Sequence, residues 1–249
     1  IAGLMRDAGA DHVRAVTLGF AEFAGTPSDE APLAAQTAAR YGIDHRVEVV
    51  TGEEFAGFRA QILAAMDQPS VDGVNTWLVA RAAHNIGLKV ALSGLGGDEL
   101  LAGYSTFRTV PQAMRFGWLR HVPGAGAALG LAARGKAKAR YMPSYANSTV
   151  RAYMLRRSMM LPEQIEQLLP PDVAREGLER LDPAARLEAE LAGGPTGEVS
   201  RIALLESVQY MRNQLLRDSD WAYMAHSLEI RVPLVDSVLL ALTLGACAK

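Results

Sequence analysis

The sequence contains a single cysteine, Cys247, so no disulfide can form within the chain. That thiol lies in an apolar stretch, where we expect a small core residue rather than a nucleophile. No apolar run approaches the roughly 20 residues needed to cross a bilayer, and no signal-peptide pattern is present at the start. These absences argue against disulfide-rich and membrane-spanning classes and favour a reducing, cytoplasmic setting.

Acidic residues are missing from one long segment. Between Leu100 and Pro162 there is no Asp or Glu against ten Arg and Lys, although the whole chain has a formal net charge of −2. Such a segment suits ATP phosphates, nucleic acid or an anionic membrane surface, or it is a solvated helical insertion. The segment lacks the interleaved aromatic residues typical of a single-strand binding surface. We expect neither nucleic acid nor membrane as a partner.

Strand-like runs alternate with helical patterns in the first part of the chain. Residues 13–20, 44–50 and 88–92 are predicted strands, and helical patterns separate them. This alternation predicts an α/β fold, a twisted parallel sheet with helices on both faces. Beyond it only helices are predicted, so we divide the chain into an α/β nucleotide-binding part, 1–107, and a helical part, 108–249.

Both ends of the sequence fall inside helical patterns. Residues 1–8 have helical periodicity from the first position, and no capping Ser, Thr, Asp or Asn precedes them. Residues 237–249 stop inside an apolar helical pattern without a closing signal. We therefore expect the chain to be an internal fragment of a longer protein.

The motif with the clearest chemistry is a glycine-rich loop, SGLGGDE, at residues 93–99. It follows a predicted strand and precedes a helical pattern, the place where open α/β sheets bind ligands. Glycines allow backbone N–H groups to approach phosphates closely, and the carboxylate of Asp98 could bind Mg²⁺ beside them. From spacing alone, a phosphate-binding loop and a glycine-rich turn with an acidic helix cap remain equally good interpretations.

Four stretches of the sequence resemble motifs of the asparagine synthetase family. ALSGLGGDELLAGYSTF resembles its second nucleotide-binding signature, LSGxGGDExFxGY, and VTLGF resembles the strand that contacts adenosine. MDQPSVDGVNTW is similar to the family's loop near the second substrate, and YMRNQLLRDSDWAYMAHSLEIRVPLVD is similar to its distal block. The four stretches occur in the family's order and extend from about residue 16 to residue 236.

This resemblance implies a PP-loop ATP pyrophosphatase fold (adenine nucleotide alpha hydrolase-like) and an amide-forming reaction. ATP and Mg²⁺ would activate the side-chain carboxylate of aspartate as an adenylate, and ammonia would convert it to asparagine, with AMP and pyrophosphate as the other products. In the family, the ammonia comes from glutamine in an N-terminal glutaminase domain, which is absent from this sequence. The resemblance is also compatible with a homodimer of the intact protein.

The resemblance also assigns residues. ATP contacts are expected from Leu18, Ser93, Gly94, Gly96 and Gly97, and a Mg²⁺ contact from Asp98. Second-substrate or lobe-holding candidates are Asp67, Glu229, Arg231 and Asp236. We interpret the last three as a buried ion-pair network that holds the helical part on the sheet, with direct contact to substrate or phosphate as the alternative.

Two departures from the family pattern limit what the resemblance implies. Leu95 occupies the position where many members have a glutamate, so the catalytic residue is unknown. That substitution keeps open a same-fold amide ligase of secondary metabolism, of the β-lactam synthetase or peptide cyclase type. The family's first phosphate loop, SGGxDS, is absent, so we expect the fragment alone to be inactive, and a catalytically dead binding domain is a further alternative.

Overall fold

The computed structural model describes residues 1–133 and 137–247, with side chains as far as residue 243. The described part therefore does not include Arg134 and Lys136 of the acid-free segment, or Lys249. The prediction that the Cys247 side chain is buried also lies outside it.

The described chain is mixed α and β. Its strands are β1 (Arg14–Phe20), β2 (Asp44–Val50), β3 (Val90–Leu92) and β4 (Glu229–Arg231). The helices are α1 (Ala2–Asp7), α2 (Ala31–Tyr41), α3 (Gly52–Ala65), α4 (Asp72–Asn85), α5 (Gly97–Leu101), α6 (Thr106–Met114), α7 (Ala125–Ala132), α8 (Met142–Tyr145), α9 (Thr149–Arg157), α10 (Pro162–Ile165), α11 (Pro171–Leu181), α12 (Pro183–Leu191), α13 (Glu198–Leu205), α14 (Leu216–Met224) and α15 (Ser237–Cys247). Short 3₁₀ segments cover Ala21–Phe23, Gly117–His121, Ala139–Tyr141 and Pro233–Val235, and Glu206–Leu215 is a π-helix.

The chain divides into two compact units. The first, the α/β unit, joins residues 1–96 to residues 211–249, and the second, the helical unit, is residues 97–210. This division differs from the single boundary at residue 107 that the sequence suggested. The reason is β4, a strand in the part expected to be only helical, which pairs with β3 and so belongs to the first unit.

The four strands form two parallel pairs. β1 pairs with β2 from Arg14 opposite Asp44 to Phe20 opposite Val50, and β3 pairs with β4 from Val90 opposite Glu229. In the described chain these pairs are two separate two-stranded sheets. The α/β class and the parallel pairing agree with expectation, whereas one continuous twisted sheet with helices on both faces stays a prediction.

Local sequence signals explain where several elements of the α/β unit begin. At the start of α3, Thr51 Oγ1 accepts a hydrogen bond from the Glu54 backbone N–H, and Glu54 Oε2 accepts one from the Thr51 N–H. This reciprocal pair satisfies two of the backbone donors that a helix start leaves unpaired. The strand β2 has the bounds that its alternating pattern predicts.

The helix α4 lies at the centre of the α/β unit. Trp77 and Leu78 pack in one buried cluster with Val50 of β2, and Leu18 is packed against the same cluster. Ala80 and Ala83 form a second buried cluster, against which side chains of β1 and β3 pack. The two strand pairs therefore pack against the same helix, α4, and this packing positions the carboxyl ends of both pairs.

The helical unit is built around an apolar core and one buried ion pair. The core includes Val150, Leu161, Ile202 and Leu205, all with essentially no exposed surface. Beside it lies Glu206, whose side chain is 0 % exposed. A fully buried carboxylate is costly unless it is paired and hydrogen-bonded, so its partners are important for the stability of this unit.

Three side chains satisfy Glu206. Arg157 Nη2 and Nε donate to Oε2 at 2.8 and 3.1 Å, and Thr106 Oγ1 donates to Oε1 at 2.5 Å. The Tyr153 hydroxyl lies 3.4 Å from Oε2. The Arg157 guanidinium also stacks on the Tyr210 ring, with 3.5 Å between its central carbon and the ring centroid. Although burial disfavours the charged guanidinium, the charge of Glu206 raises the pKa of Arg157 overall.

No helix in the described part of the chain is both long enough and apolar enough to cross a membrane.

Candidate active site

The glycine-rich loop begins where β3 ends and lies beside the segment that follows β4. The Ser93 backbone N–H donates to the Arg231 carbonyl at 2.9 Å, which extends the β3–β4 pairing by one residue. Ser93 Oγ then accepts a hydrogen bond from the Leu95 N–H at 3.2 Å. The two motif blocks that contain these residues are therefore adjacent at the carboxyl ends of β3 and β4, where ligands bind in open α/β folds.

Gly96 shows why this loop needs glycine. Its φ of +93° is strained for residues with a Cβ atom. A Cβ there would also lie 2.8 Å from Val235 Cγ2 and 3.0 Å from the Leu234 carbonyl oxygen. The motif glycine thus lets the loop pack directly on the 3₁₀ segment of the distal block, while Gly94 is exposed and free to face a ligand.

The charged residues of the distal block correct one prediction. Arg231 Nε and Glu229 Oε1 form an ion pair at 2.9 Å, but their side chains are 66 % and 57 % exposed. Asp236 Oδ1 accepts a hydrogen bond from the Leu239 N–H at 2.8 Å at the start of α15. The expected buried network is therefore wrong: the pair lies within β4 itself and faces solvent, and Asp236 caps a helix.

In the helical unit, Asp98 is exposed in the first turn of α5. Its carboxylate lies against the backbone of Gly103, so closely that a Cβ at Gly103 would overlap Oδ1. The chain turns back here because Ala102 has a positive φ of 55°, and the Gly103 N–H donates to the Asp98 carbonyl at 3.0 Å. The motif's last glycine thus leaves room for the Asp98 carboxylate.

The next residue, Glu99, is buried. Its Oε1 accepts a hydrogen bond from the Tyr104 hydroxyl at 3.2 Å, and in the described part of the chain Oε2 has no partner. Burial is the main cause that raises the pKa of Glu99, and the nearby charges of Asp98 and Glu206 raise it further. The two consecutive carboxylates of the motif therefore differ: Asp98 is available to a cation, and Glu99 is part of the interior.

Residues 67–72, which lie in the stretch similar to the family's second-substrate loop and lead into α4, contact the distal block through side chains far apart in sequence. Asp67 Oδ2 accepts a hydrogen bond from Arg217 Nε at 2.8 Å, and both side chains are about half exposed. Gln214 Nε2 donates to Asp72 Oδ2 at 2.8 Å. Asp67 is thus paired with Arg217 rather than isolated on the surface.

Sequence reasoning missed Asp218, the buried centre of this contact. Its side chain is fully buried, and it accepts hydrogen bonds from Ser70 Oγ at 2.6 Å and from Trp221 Nε1 at 3.2 Å. Ser70 Oγ also accepts from the Gly73 N–H at 3.0 Å. Ser70 Oγ and Trp221 Nε1 are thus the side-chain donors that satisfy this carboxylate.

Gly73→Ala is expected to destabilise the α/β unit. A Cβ at Gly73 would overlap the Trp221 ring and lie 3.0 Å from Asp218 Oδ1, so the buried contact must shift. Overpacking of this kind typically costs about 1–3 kcal/mol. The matched control is Gly57→Ala in α3, where the structure describes no atom within 4 Å of the new Cβ and where we expect a small gain, up to about 1 kcal/mol. Urea unfolding of both variants tests this, and equal stabilities would contradict it.

A pocket of about 400 Å³ lies along β1. Leu18, Phe20 and Phe23 supply apolar walls, and Ser28, Glu30 and Asn75 are among the polar residues that line it; the remaining lining residues are Val16, Thr17, Gly19, Asp29 and Val79. This volume and the mixture of apolar walls with a few polar groups are typical of small-molecule sites. The pocket contains Leu18, the residue expected to contact adenosine. That Leu18 also lies close to the glycine-rich loop stays a prediction.

The described side chains include no group of three or more His, Cys, Asp or Glu that could hold a metal ion alone. Mg²⁺ does not require such a group, since it is usually bound by one or two carboxylates together with substrate phosphates and water. The exposed carboxylate of Asp98, next to a glycine-rich loop, fits that mode of binding.

Comparison with known proteins gives consistent results. A family model described as asparagine synthase matches residues 1–246. A putative glutamine-hydrolysing asparagine synthetase of Mycobacterium tuberculosis is 30 % identical over 219 residues, 85 % of this chain and 32 % of the relative. Asparagine synthetase (glutamine-hydrolysing) 1 of Bacillus subtilis is 25 % identical over 84 % of the chain and 33 % of the relative.

A third relative has a different name: amidase chyE of Penicillium rubens is 31 % identical over 99 residues, 39 % of this chain and 14 % of that protein. The chain thus spans about a third of the length of the synthetases it matches. No solved structure shows significant similarity to it.

Proposed function

Because the chain belongs to the asparagine synthase family, we propose that it is the ATP-using part of a ligase that makes asparagine from aspartate and glutamine-derived ammonia. The observation that carries this proposal is the packing of the glycine-rich loop on the segment after β4. Two motifs more than 130 residues apart meet at the carboxyl ends of paired strands, through the Ser93–Arg231 hydrogen bond and the Gly96–Leu234 contact. A glycine-rich turn with a purely local role would not require the second motif.

ATP would use residues of the α/β unit. The pocket along β1 offers Leu18 as an apolar surface for adenine, and Ser93, Gly94 and Gly96 would present backbone and hydroxyl groups to the phosphates. Gly97 and Asp98 follow directly along the chain, and Asp98 would hold Mg²⁺. When bound, Mg²⁺ supplies positive charge that neutralises phosphate oxygens.

The proposed reaction has two steps. A carboxylate oxygen of aspartate attacks the α-phosphorus of ATP and releases pyrophosphate, which gives an acyl-adenylate. Ammonia then attacks the carbonyl carbon, the bond to the AMP oxygen breaks, and a proton leaves the new amide. The protein's part is to orient the phosphates with N–H donors and to keep water from the adenylate, which hydrolyses readily.

The finer features of the family also belong to this proposal. We infer that the two strand pairs are parts of one twisted parallel sheet with helices on both faces, as their packing on the same helix supports. A glutaminase domain would supply ammonia in the intact protein, which would act in the cytoplasm, and a homodimer is compatible with it.

Leu18→Arg is expected to weaken ATP binding by at least about tenfold, since a charged side chain in an apolar wall of the pocket costs about 1.4 kcal/mol or more. The matched control is Val47→Arg on β2, where the side chain is exposed and lies outside the pocket lining. Titration with a fluorescent ATP analogue measures both. If Leu18→Arg binds like wild type, the pocket along β1 is not the adenosine site.

A second candidate function follows from Leu95. An isobutyl group cannot accept a proton, so if the step needs the glutamate found in many relatives, this protein forms a different amide, as a same-fold ligase of secondary metabolism would. The experiment supplies the full-length protein with ATP, glutamine and each of several carboxylic acids. AMP formation that depends on aspartate supports the synthetase, whereas AMP formation that depends on another acid supports the second candidate. A protein that forms no AMP with any acid would be a binding domain without activity.

A further inference from the structure

The acid-free segment of the helical unit contains an exposed apolar stretch. Residues 122–133, VPGAGAALGLAA, have no charged or hydrogen-bonding side chain. An uninterrupted apolar stretch of about 10–14 residues is usually a core helix or an interfacial segment. Here the core alternative fails, because Ala127, Ala128 and Leu131 of α7 are exposed, Leu131 by 78 %.

The residues just before this stretch are exposed aromatic and basic side chains. Phe116 and Trp118 are 46 % and 60 % exposed, and Arg115, Arg120 and His121 beside them are exposed as well. Two exposed aromatic side chains therefore lie among exposed basic ones at this place in the segment. Tryptophan and arginine together are typical of the headgroup level of a bilayer.

The two parts pack on one continuous piece of chain. The 3₁₀ segment Gly117–His121 contacts α8, with Gly117 close to the Ala146 carbonyl oxygen. The helix α7 packs on Ala139–Tyr141, and a Cβ at Gly126 would lie 2.6 Å from the Arg140 carbonyl oxygen. Because residues 139–146 support both, the exposed side chains of residues 115–131 form one region, which we name the interfacial surface.

We propose that the interfacial surface binds anionic phospholipid membranes, with Trp118 and Leu131 in the headgroup–acyl boundary and Arg115 and Arg120 on lipid phosphates. Arginine side chains near an anionic leaflet each add attraction, and no acidic residue between 100 and 162 opposes it. Nucleic acid would contact the arginines and aromatic rings, but it has no apolar surface that would cover the exposed aliphatic side chains of α7. This binding is independent of the proposed reaction and replaces the expectation that no membrane is a partner.

Tryptophan fluorescence tests the proposal directly, because Trp118 is the exposed one of this chain's three tryptophans, and Trp77 and Trp221 are buried. The signal of Trp118 is the part that a Trp118→Phe variant of the full-length protein loses. The full-length protein is titrated with phosphatidylcholine vesicles that contain or lack phosphatidylglycerol. We expect binding, a blue shift and quenching by brominated acyl chains only with the anionic vesicles. Arg115→Gln/Arg120→Gln is expected to weaken binding by about 10- to 30-fold, since each arginine contributes roughly a fivefold factor.

Trp118→Ser/Leu131→Ser is expected to weaken vesicle sedimentation by about tenfold or more, through lost apolar contact with the bilayer. The matched control is Met159→Gln, which changes an equally exposed apolar side chain of the same unit outside the surface and should bind like wild type. Thermal melts show whether each variant is folded. The proposal is overturned if wild type ignores anionic vesicles or if both double variants bind as it does. It is equally overturned if a single-stranded oligonucleotide binds instead, or if the surface variants only abolish self-association.

Discussion

Asp98→Asn in the full-length protein is expected to lower the rate of pyrophosphate release by about 100-fold or more, the usual effect of losing one transition-state contact to developing charge. The variant keeps the size of the side chain and loses one negative charge where the phosphates and Mg²⁺ would meet. Asp98 is exposed in the first turn of α5, where asparagine loses only the favourable interaction of a negative charge with the helix dipole, so we expect the unfolding free energy to change by less than about 1 kcal/mol. The measurement is pyrophosphate release across a Mg²⁺ titration, beside a thermal melt.

The matched control is Asp172→Asn, which changes an exposed carboxylate in the first turn of another helix of the same unit. It should leave the rate unchanged. Gly103→Ala should lower the rate in the same direction as Asp98→Asn, because the added methyl group displaces the Asp98 carboxylate. If Asp98→Asn turns over as fast as wild type at every Mg²⁺ concentration, Asp98 does not belong to the active site and only interacts with the start of α5.

Arg157→Ala is expected to lower the unfolding free energy by about 3–5 kcal/mol, the usual cost of leaving a buried charge unpaired. The side chain of Glu206 is 0 % exposed, and Arg157 provides two of its hydrogen bonds. Denaturant unfolding measures the loss, and a second, thermal measurement checks it.

Two variants separate this explanation from a general loss of packing. Arg156→Ala removes the neighbouring, exposed guanidinium and should cost at most about 0.5 kcal/mol. The double variant Arg157→Leu/Glu206→Leu should recover most of the loss, because it removes the unpaired charge along with its partner. A double variant no more stable than Arg157→Ala would show that lost packing, and not the charge, causes the instability.

The sequence predicted the elements whose signals are local. The strand β2 and the helix α3 were found because the alternation of the first and the helical pattern of the second each lie within a short stretch of chain. The strand β4 was missed because its three residues, Glu229 to Arg231, look like a solvated turn and become a strand only by pairing with β3. Because β4 pairs with β3, residues 211–249 belong to the α/β unit, so the observed division differs from the predicted boundary at residue 107.

Site residues were predictable to the extent that a motif contains them. Ser93 and Gly96 were selected from the glycine-rich loop, and the structure gives each a local reason. Asp218 was missed because its partner Ser70 is 148 residues away in sequence, and no local pattern indicates that contact. The pair Arg231 with Glu229 of the α/β unit is exposed, whereas Arg157 of the helical unit pairs with the fully buried Glu206, because burial depends on tertiary packing.

The central claim, that aspartate is activated as an adenylate, is tested most directly by isotope transfer. The full-length protein is given aspartate labelled with ¹⁸O in its side-chain carboxylate, together with ATP, Mg²⁺ and glutamine, and the nucleotide products are analysed by mass spectrometry. The oxygen that attacks the α-phosphorus stays on AMP when ammonia displaces it, so the account predicts one labelled oxygen in each AMP and unlabelled pyrophosphate. Label in inorganic phosphate with ADP as the nucleotide product, or AMP without label, would contradict it.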